Sequence, residues 1–234
     1  EALIRWQHPE KGLLAPASFL PMIEDDPLAV EIGEWVIDTA LSQMDAWRAE
    51  GLDLPVSVNL GARQMLQAGF ALRLRGILAA HPDITPSQLE LEVLETSALQ
   101  DVTQAAQVIA ACRDMGVSFS LDDFGTGYSS LTYLKRLPVA RLKVDQSFVH
   151  DMLADPDDLA ILEGVIGLAS AFGHEVVAEG VETERHGDVL QQLGCDLAQG
   201  FGIARPMPGS EFTRWSVAWH RDPSWIDPCG PEST

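Results

Sequence analysis

Residues 89–127 read LELEVLETSALQDVTQAAQVIAACRDMGVSFSLDDFGTG, and this stretch decides the fold. Two short strand-like runs, 89–94 and 117–121, flank a helical stretch at 103–115. Gly116 closes that helix as a left-handed stop. A strand, a helix and a second strand of this spacing make a parallel βαβ unit.

The same alternation continues in both directions. Further strand runs fall at 2–6, 56–59, 141–144 and 175–178, with a less regular one at 197–202. Helical stretches fall at 26–48, 63–80, 131–135, 157–172 and 184–193. Gly51, Gly173 and Gly194 each follow a helix as stops, Ser18 is placed to cap a short helix, and Pro138 sits just before a strand, where it is tolerated. Seven strands fit either a (β/α) barrel one strand short or an open doubly wound sheet. A chain of 234 residues that is 46% hydrophobic supplies one compact domain. Its 19 glycines and 14 prolines are scattered, so no linker divides it. The domain is expected to span 1–220, followed by an irregular tail at 221–234 that contains Pro223, Pro228 and Pro231. Trp35, Trp47, Trp215, Trp219 and Trp225 read as core or tail anchors.

The net charge of −20 excludes duplex nucleic acid as a partner, since no basic stripe offsets it. Cys112, Cys195 and Cys229 form neither a disulfide framework nor a CxxC metal site, which fits a reducing cytoplasm. No apolar run approaches the roughly 20 residues of a membrane helix. Gly125, Thr126 and Gly127 look like a phosphate cradle but open no nucleotide-binding helix, so a tight mobile loop is the better reading. His8 reads as a pocket or surface loop residue, and His174 as structural.

With a period of two, the polar residues of the strands fall into order. Glu1, Leu3 and Arg5 share a face, as do Ser57 and Asn59, and Glu90 and Glu92. Ser118, Ser120 and Asp122 follow, then Arg141, Lys143 and Asp145, then Glu175 and Glu179, and last Gln199. Most strands thus carry a polar residue near the C-terminal end, where β/α barrels do their chemistry. Glu1, Asn59, Glu92, Asp122, Asp123 and Glu179 are all oxygen donors, which suits Mg²⁺ or Mn²⁺ rather than zinc. Five carboxylates gathered together would repel one another without cations. Asp122 and Asp123 point opposite ways on a regular strand, but a twist at its end would turn both to one site. Two metals about 3.5–4 Å apart are the usual device for hydrolysing a phosphodiester. Lys143 can position water or neutralise charge developing on phosphate.

The segments EALIRWQHP (1–9), SVNLGARQ (57–64), LELEVLE (89–95), LDDFGTGYSSL (121–131), LKVDQSFV (142–149), AEGVET (178–183) and QGFGIARPMP (199–208) resemble the EAL domains, which open cyclic-di-GMP to linear pGpG. The resemblance implies a modified (β/α)8 TIM-type barrel whose first, antiparallel strand is missing from this chain. It implies a first metal held by Glu1, Asn59, Glu92 and Asp122, and a second held by Asp122, Asp123 and Glu179. Some accounts of the family make that last glutamate a general base, so the catalytic pair it implies is Lys143 and Glu179. Leu3, Arg5, Asp145 and Gln199 match substrate contacts; Glu95 and Glu182 match residues that support loops.

The cofactors implied are two Mg²⁺ or Mn²⁺ ions, with Ca²⁺ expected to bind but inhibit. The implied partners are cyclic-di-GMP, a second copy through the DDFGTGYSS loop and the helix after it, and flanking sensory or GGDEF-type domains. A cytoplasmic domain is expected, in a parent protein that can be membrane-attached. A metal ligand at a fraying N-terminus is physically unfavourable, so residues upstream of Glu1 are also expected. The fourth motif has Glu-Val-Leu-Glu-Thr where Glu-Ile/Leu-Thr-Glu-Ser is commoner, with both glutamates in register. A receptor domain that binds without hydrolysis would typically have lost a metal carboxylate or the lysine, and this chain keeps them all. An unrelated Mg²⁺-dependent barrel enzyme would lack the DDFGTGYSS and QGF segments.

Overall fold

The computed structural model describes residues 1–126 and 131–219. Residues 127–130 of the DDFGTGYSS loop, the 221–234 tail, Trp225 and Cys229 lie outside the described residues. Two compact units divide the chain: Glu1–Leu121 with Ser130–Val139, and Asp122–Ser129 with Ala140–Thr234.

The first unit opens with a hairpin in which β1 (Trp6–His8) pairs antiparallel with β2 (Gly12–Leu14). The strand expected at 2–6 is reduced to one parallel bridge between Ala2 and Val58. In the turn after β1, His8 Nδ1 accepts from the backbone N–H groups of Glu10 and Lys11, both at 3.1 Å. His8 is therefore a turn residue. The short helix near Ser18 is a 3-10 turn, Pro16–Ser18, whose cap is Ala15 rather than Ser18.

Helix α1 (Leu28–Ala49) starts where Asp26 Oδ1 accepts from Leu28 N at 2.8 Å. It buries Val30, Ile37, Ala40, Leu41 and Met44, an apolar stripe at helical spacing. Trp35 stands on the other side, 56% exposed, and so is no core anchor. Strand β3 (Val56–Asn59) leads into α2 (Ala62–Met65) and α3 (Phe70–Ala80). These two replace the single helix expected at 63–80. Gly69, with φ +81°, breaks the helical path between them.

Strand β4 (Leu89–Leu94) lies parallel to β3. It is followed by α4 (Glu95–Gln100) and α5 (Val102–Arg113), which Asp101 caps by accepting from Gln104 N at 2.9 Å. Strand β5 (Ser118–Phe124) carries the boundary between the units after Leu121. Helix α6 (Leu131–Leu134) completes the first unit. Leu89, Leu91 and Val93 are fully buried, and so nearly are the glutamates between them, Glu90 at 7% and Glu92 at 2% exposure. Both faces of β4 are thus covered, as in parallel sheets generally.

In the second unit β6 (Arg141–Val144) pairs parallel with β7 (Glu175–Ala178), and β7 with β8 (Leu197–Ala198). Between β6 and β7 run α7 (Gln146–Asp151) and α8 (Pro156–Phe172). Asp155 caps α8, Pro156 opens it, and Gly173 closes it at φ +76°. Helix α9 (Glu184–Gln192) joins β7 to β8, and α10 (Gly209–Ala218) follows. The last strand is shorter than the expected 197–202 because the chain turns from Gln199 onward. In the larger sheet the strands take chain order, β3-β4-β5-β6-β7-β8. Among the described residues no helix is long and apolar enough to cross a membrane.

Candidate active site

Two sets of oxygen donors form, one within each unit. In the first, Glu1 Oε1 accepts from Asn59 Nδ2 at 2.6 Å. That leaves the Asn59 amide oxygen as the donor for a cation. Asn59 is the register partner of Glu92 across the β3–β4 pair, and Leu60 N donates to the Glu92 carbonyl at 2.8 Å. Ala2 N donates to the Ser57 carbonyl at 2.8 Å, which ties the start of the chain to β3. Three of the expected metal ligands therefore stand together at the ends of neighbouring segments. Leu3 is 38% exposed. Arg5 turns back so that Nη1 donates to the Ile4 carbonyl at 2.9 Å.

The second set is the denser one. One oxygen each from Asp122, Asp123 and Glu179 lie within 4.8 Å of one another, close enough to share a cation. Adjacent residues reach the same point because Asp123 has φ +54°, unique among the described non-glycine residues. Such a backbone is strained for any residue with a Cβ, and Asp tolerates it better than most. The expected twist at the strand end is this dihedral.

Lys143 Nζ lies 2.8 Å from Glu179 Oε1 and 3.3 Å from Asp122 Oδ1, with its side chain only 3% exposed. Asp122 Oδ1 is buried and, among the described residues, has no hydrogen-bond partner; the Lys143 ammonium 3.3 Å away compensates its charge. Burial, together with the charges of Asp122 and Asp145, pushes Asp123 up to about 6, against a smaller opposing pull from Lys143. One ammonium among three carboxylates and a nearby fourth leaves the cluster short of positive charge. A buried carboxylate oxygen without a hydrogen bond and a carboxyl held toward its neutral form are what a hard divalent cation would relieve.

Elsewhere in this unit Asp145 caps α7, accepting from Ser147 N at 2.9 Å, and its charge helps to push Asp123 up. Gln199 joins the end of β7 through its own N–H, 2.8 Å from the Ala178 carbonyl, and accepts from Val181 N at 3.0 Å. Glu182 Oε2 lies 3.7 Å from His150 Nδ1 at the exposed surface, a weak tie.

Glu95, in the first unit, is 1% exposed and accepts a short hydrogen bond from the Tyr133 hydroxyl. Its partner is thus on α6, the helix after the DDFGTGYSS loop. Sequence reasoning missed Tyr133, because a tyrosine among apolar residues looks like ordinary core. Gly125, at φ +101°, leaves a Cβ only 3.1 Å from the Phe148 ring, which limits that corner to glycine.

The EAL domain family model matches residues 1–206. The bifunctional diguanylate cyclase/cyclic di-GMP phosphodiesterase MucR of Pseudomonas aeruginosa is 45% identical over 91% of the chain, which spans 31% of that protein. The cyclic di-GMP phosphodiesterase PdeR of Escherichia coli is 37% identical over 92% of the chain and is spanned to 32%. The chain thus covers about a third of the length of these curated relatives. A solved structure of the PaMucR phosphodiesterase in complex with c-di-GMP superposes with a TM-score of 0.85. It is 44% identical, over 90% of this chain and 85% of that one.

Proposed function

The chain belongs to the EAL domain family, and from that premise we propose that it hydrolyses cyclic-di-GMP to linear pGpG. The observation that carries this reading is the convergence of Asp122, Asp123 and Glu179 around the buried Lys143 ammonium. The names of the relatives and the ligand of the solved neighbour support the choice of substrate.

In the proposed roles, Asp122, Asp123 and Glu179 hold a divalent cation, as do Glu1, Asn59 and Glu92. Mg²⁺ or Mn²⁺ fits these oxygen donors, and Ca²⁺ would bind without supporting turnover. When bound, such ions polarise a phosphate and make water more acidic. Lys143 holds its positive charge where the phosphate gains negative charge. The Glu179 carboxylate, 2.8 Å from that ammonium, orients the attacking water or accepts its proton. Water oxygen bonds to phosphorus, the bond to the 3′-oxygen breaks, and a 3′-hydroxyl and a 5′-phosphate remain. Leu3, Arg5, Asp145 and Gln199 contact the dinucleotide, and Glu95 and Glu182 support loops. The domain works in the cytoplasm beside a partner domain of the diguanylate cyclase type, which the MucR name supports. A second copy docks through the DDFGTGYSS loop and α6.

The test is incubation with cyclic-di-GMP and Mn²⁺ or Mg²⁺, followed by chromatography for pGpG. Metal-dependent product, abolished by EDTA, is expected. Nucleotide binding with no product under either metal would make the domain a receptor instead.

A further inference from the structure

Glu179 is the first residue of the 179–183 segment that leaves β7, and the backbone of that segment is hemmed in on every side. Glu179 N donates to the Val144 carbonyl at 3.2 Å. Gly180, at φ +77°, sits so close to α7 that a Cβ would lie 2.6 Å from the Gln146 side chain. On the other side a Cβ at Gly200 would lie 2.2 Å from the Val181 carbonyl oxygen, and one at Gly202 would lie 2.6 Å from the Glu182 carbonyl carbon. Val181 N donates to the Gln199 carbonyl at 3.0 Å, and Gly202 N donates to that of Val181 at 2.9 Å.

The far end of the segment is held differently. Thr183 stands at the N-cap of α9, yet its hydroxyl makes no bond to a helix N–H. It meets His186 Nδ1 at 2.7 Å instead. The opposite ring nitrogen, Nε2, lies 3.4 Å from the carbonyl oxygen of His150, in the last turn of α7. A carbonyl only accepts, so in the neutral ring Nε2 carries the hydrogen and Nδ1 accepts from the threonine. His186 is 6% exposed. One short helix thus braces the segment twice, through Gln146 against Gly180 and through the His150 carbonyl against His186.

We propose that His186 is a positioning residue for the Glu179 carboxylate. By pinning Thr183 to α7, it fixes the segment whose first side chain faces Lys143, Asp122 and Asp123. Nothing about capping explains the arrangement, because the threonine hydroxyl has been taken from the role it usually fills at an N-cap. The kinetic part of this proposal rests on the phosphodiesterase reading; the metal-binding part does not.

The test uses the full chain and three variants. His186→Phe keeps a flat aromatic ring, somewhat larger, and loses both hydrogen bonds. His186→Asn keeps an amide oxygen near the place of Nδ1 but nothing that reaches the His150 carbonyl, and Thr183→Val removes the hydroxyl partner. Mn²⁺ affinity is measured by calorimetry, kcat and KM at saturating Mn²⁺, and Tm by scanning. His186→Phe and Thr183→Val are expected to weaken Mn²⁺ binding and to lower kcat, each by about 10-fold or more, as losses around metal ligands do. KM should stay within about two-fold, His186→Asn should lose about as much as His186→Phe because it cannot reach the His150 carbonyl, and the double variant of His186→Phe with Thr183→Val should be no worse than either single one. Wild-type Mn²⁺ affinity and kcat in Thr183→Val would overturn the proposal, and so would wild-type values in His186→Asn. If His186→Phe fails to fold, Thr183→Val decides, since it removes no volume. If the wild type makes no pGpG, the phosphodiesterase reading fails, and Mn²⁺ affinity alone still decides whether the clamp exists.

Discussion

Asp123 shows at the scale of one residue how function and stability pull apart. Its carboxyl is pushed up to about 6, first by burial and then by the charges of Asp122 and Asp145. In the unfolded chain it titrates near 3.8, so the metal-free fold is destabilised progressively as pH rises above that value, and above about 6 it holds an ionised group it disfavours. Asp123→Asn should therefore raise the metal-free stability at pH 8 by on the order of 1 kcal/mol, and lose hydrolysis. The gain should fade as pH falls from 6 toward 3.8, where the wild-type group is itself protonated. Thermal melts across that range in EDTA check the sign. Lys143 makes the opposite case. Its ammonium is nearly inaccessible and faces two carboxylates, so Lys143→Ala should lower kcat by at least about 100-fold. It should also lower the metal-free Tm, because buried charges lose their counter-ion. Turnover within a few-fold of wild type in Lys143→Ala or Glu92→Gln would refute these roles. The oxygen donors were legible in the sequence because carboxylates at the ends of apolar strands are costly without a purpose. The φ of Asp123 was not; only the need for a twist could be read.

Among the elements, the ties between helices carry the predictions. His81, just past α3, places Nδ1 2.7 Å from Asp45 and Nε2 3.0 Å from Asp38, both on α1. Burial alone would lower the imidazole pKa, but the hydrogen bonds and charges of the two aspartates outweigh it and raise it above 6.5. A raised base contributes stability that is complete below pH 6.5 and is lost as pH rises through the folded value. His81→Gln should therefore cost more at pH 6 than at pH 9, by on the order of 1 kcal/mol, or about 2–4 °C in Tm. The aspartates are partly exposed, which keeps the figure small. An equal cost at the two pH values would show the bridge to be uncharged. The long helices and the strands of β3, β4, β6 and β7 were legible within one or two residues, since their periods are strong and glycines mark the ends. The β1–β2 hairpin, α4, α7 and α10 escaped, because they are short and tertiary contacts, not local pattern, set them.

For the whole molecule, metal and charge set the expected behaviour. A ligand that binds only the folded chain stabilises it by RT ln(1 + [L]/Kd), about 2.7 kcal/mol at 100 times Kd. Mn²⁺ at that excess should raise Tm by roughly 5–10 °C over EDTA, and Asp122→Asn should remove most of the shift. With a net charge of −20, the metal-free chain should also gain Tm with added NaCl as self-repulsion is screened. The parallel strand order follows from the alternation that runs through the sequence; residues far apart that meet, such as Glu95 and Tyr133, leave no pattern in it. The glycines that hem in residues 179–183 have a consequence for anyone mapping this protein by saturation mutagenesis. In an activity screen Gly180, Gly200 and Gly202 will look as intolerant as Glu179 itself, though they carry no chemistry. The two kinds of position separate only when abundance is scored beside turnover: the glycines will fall on both axes, and the carboxylate on one.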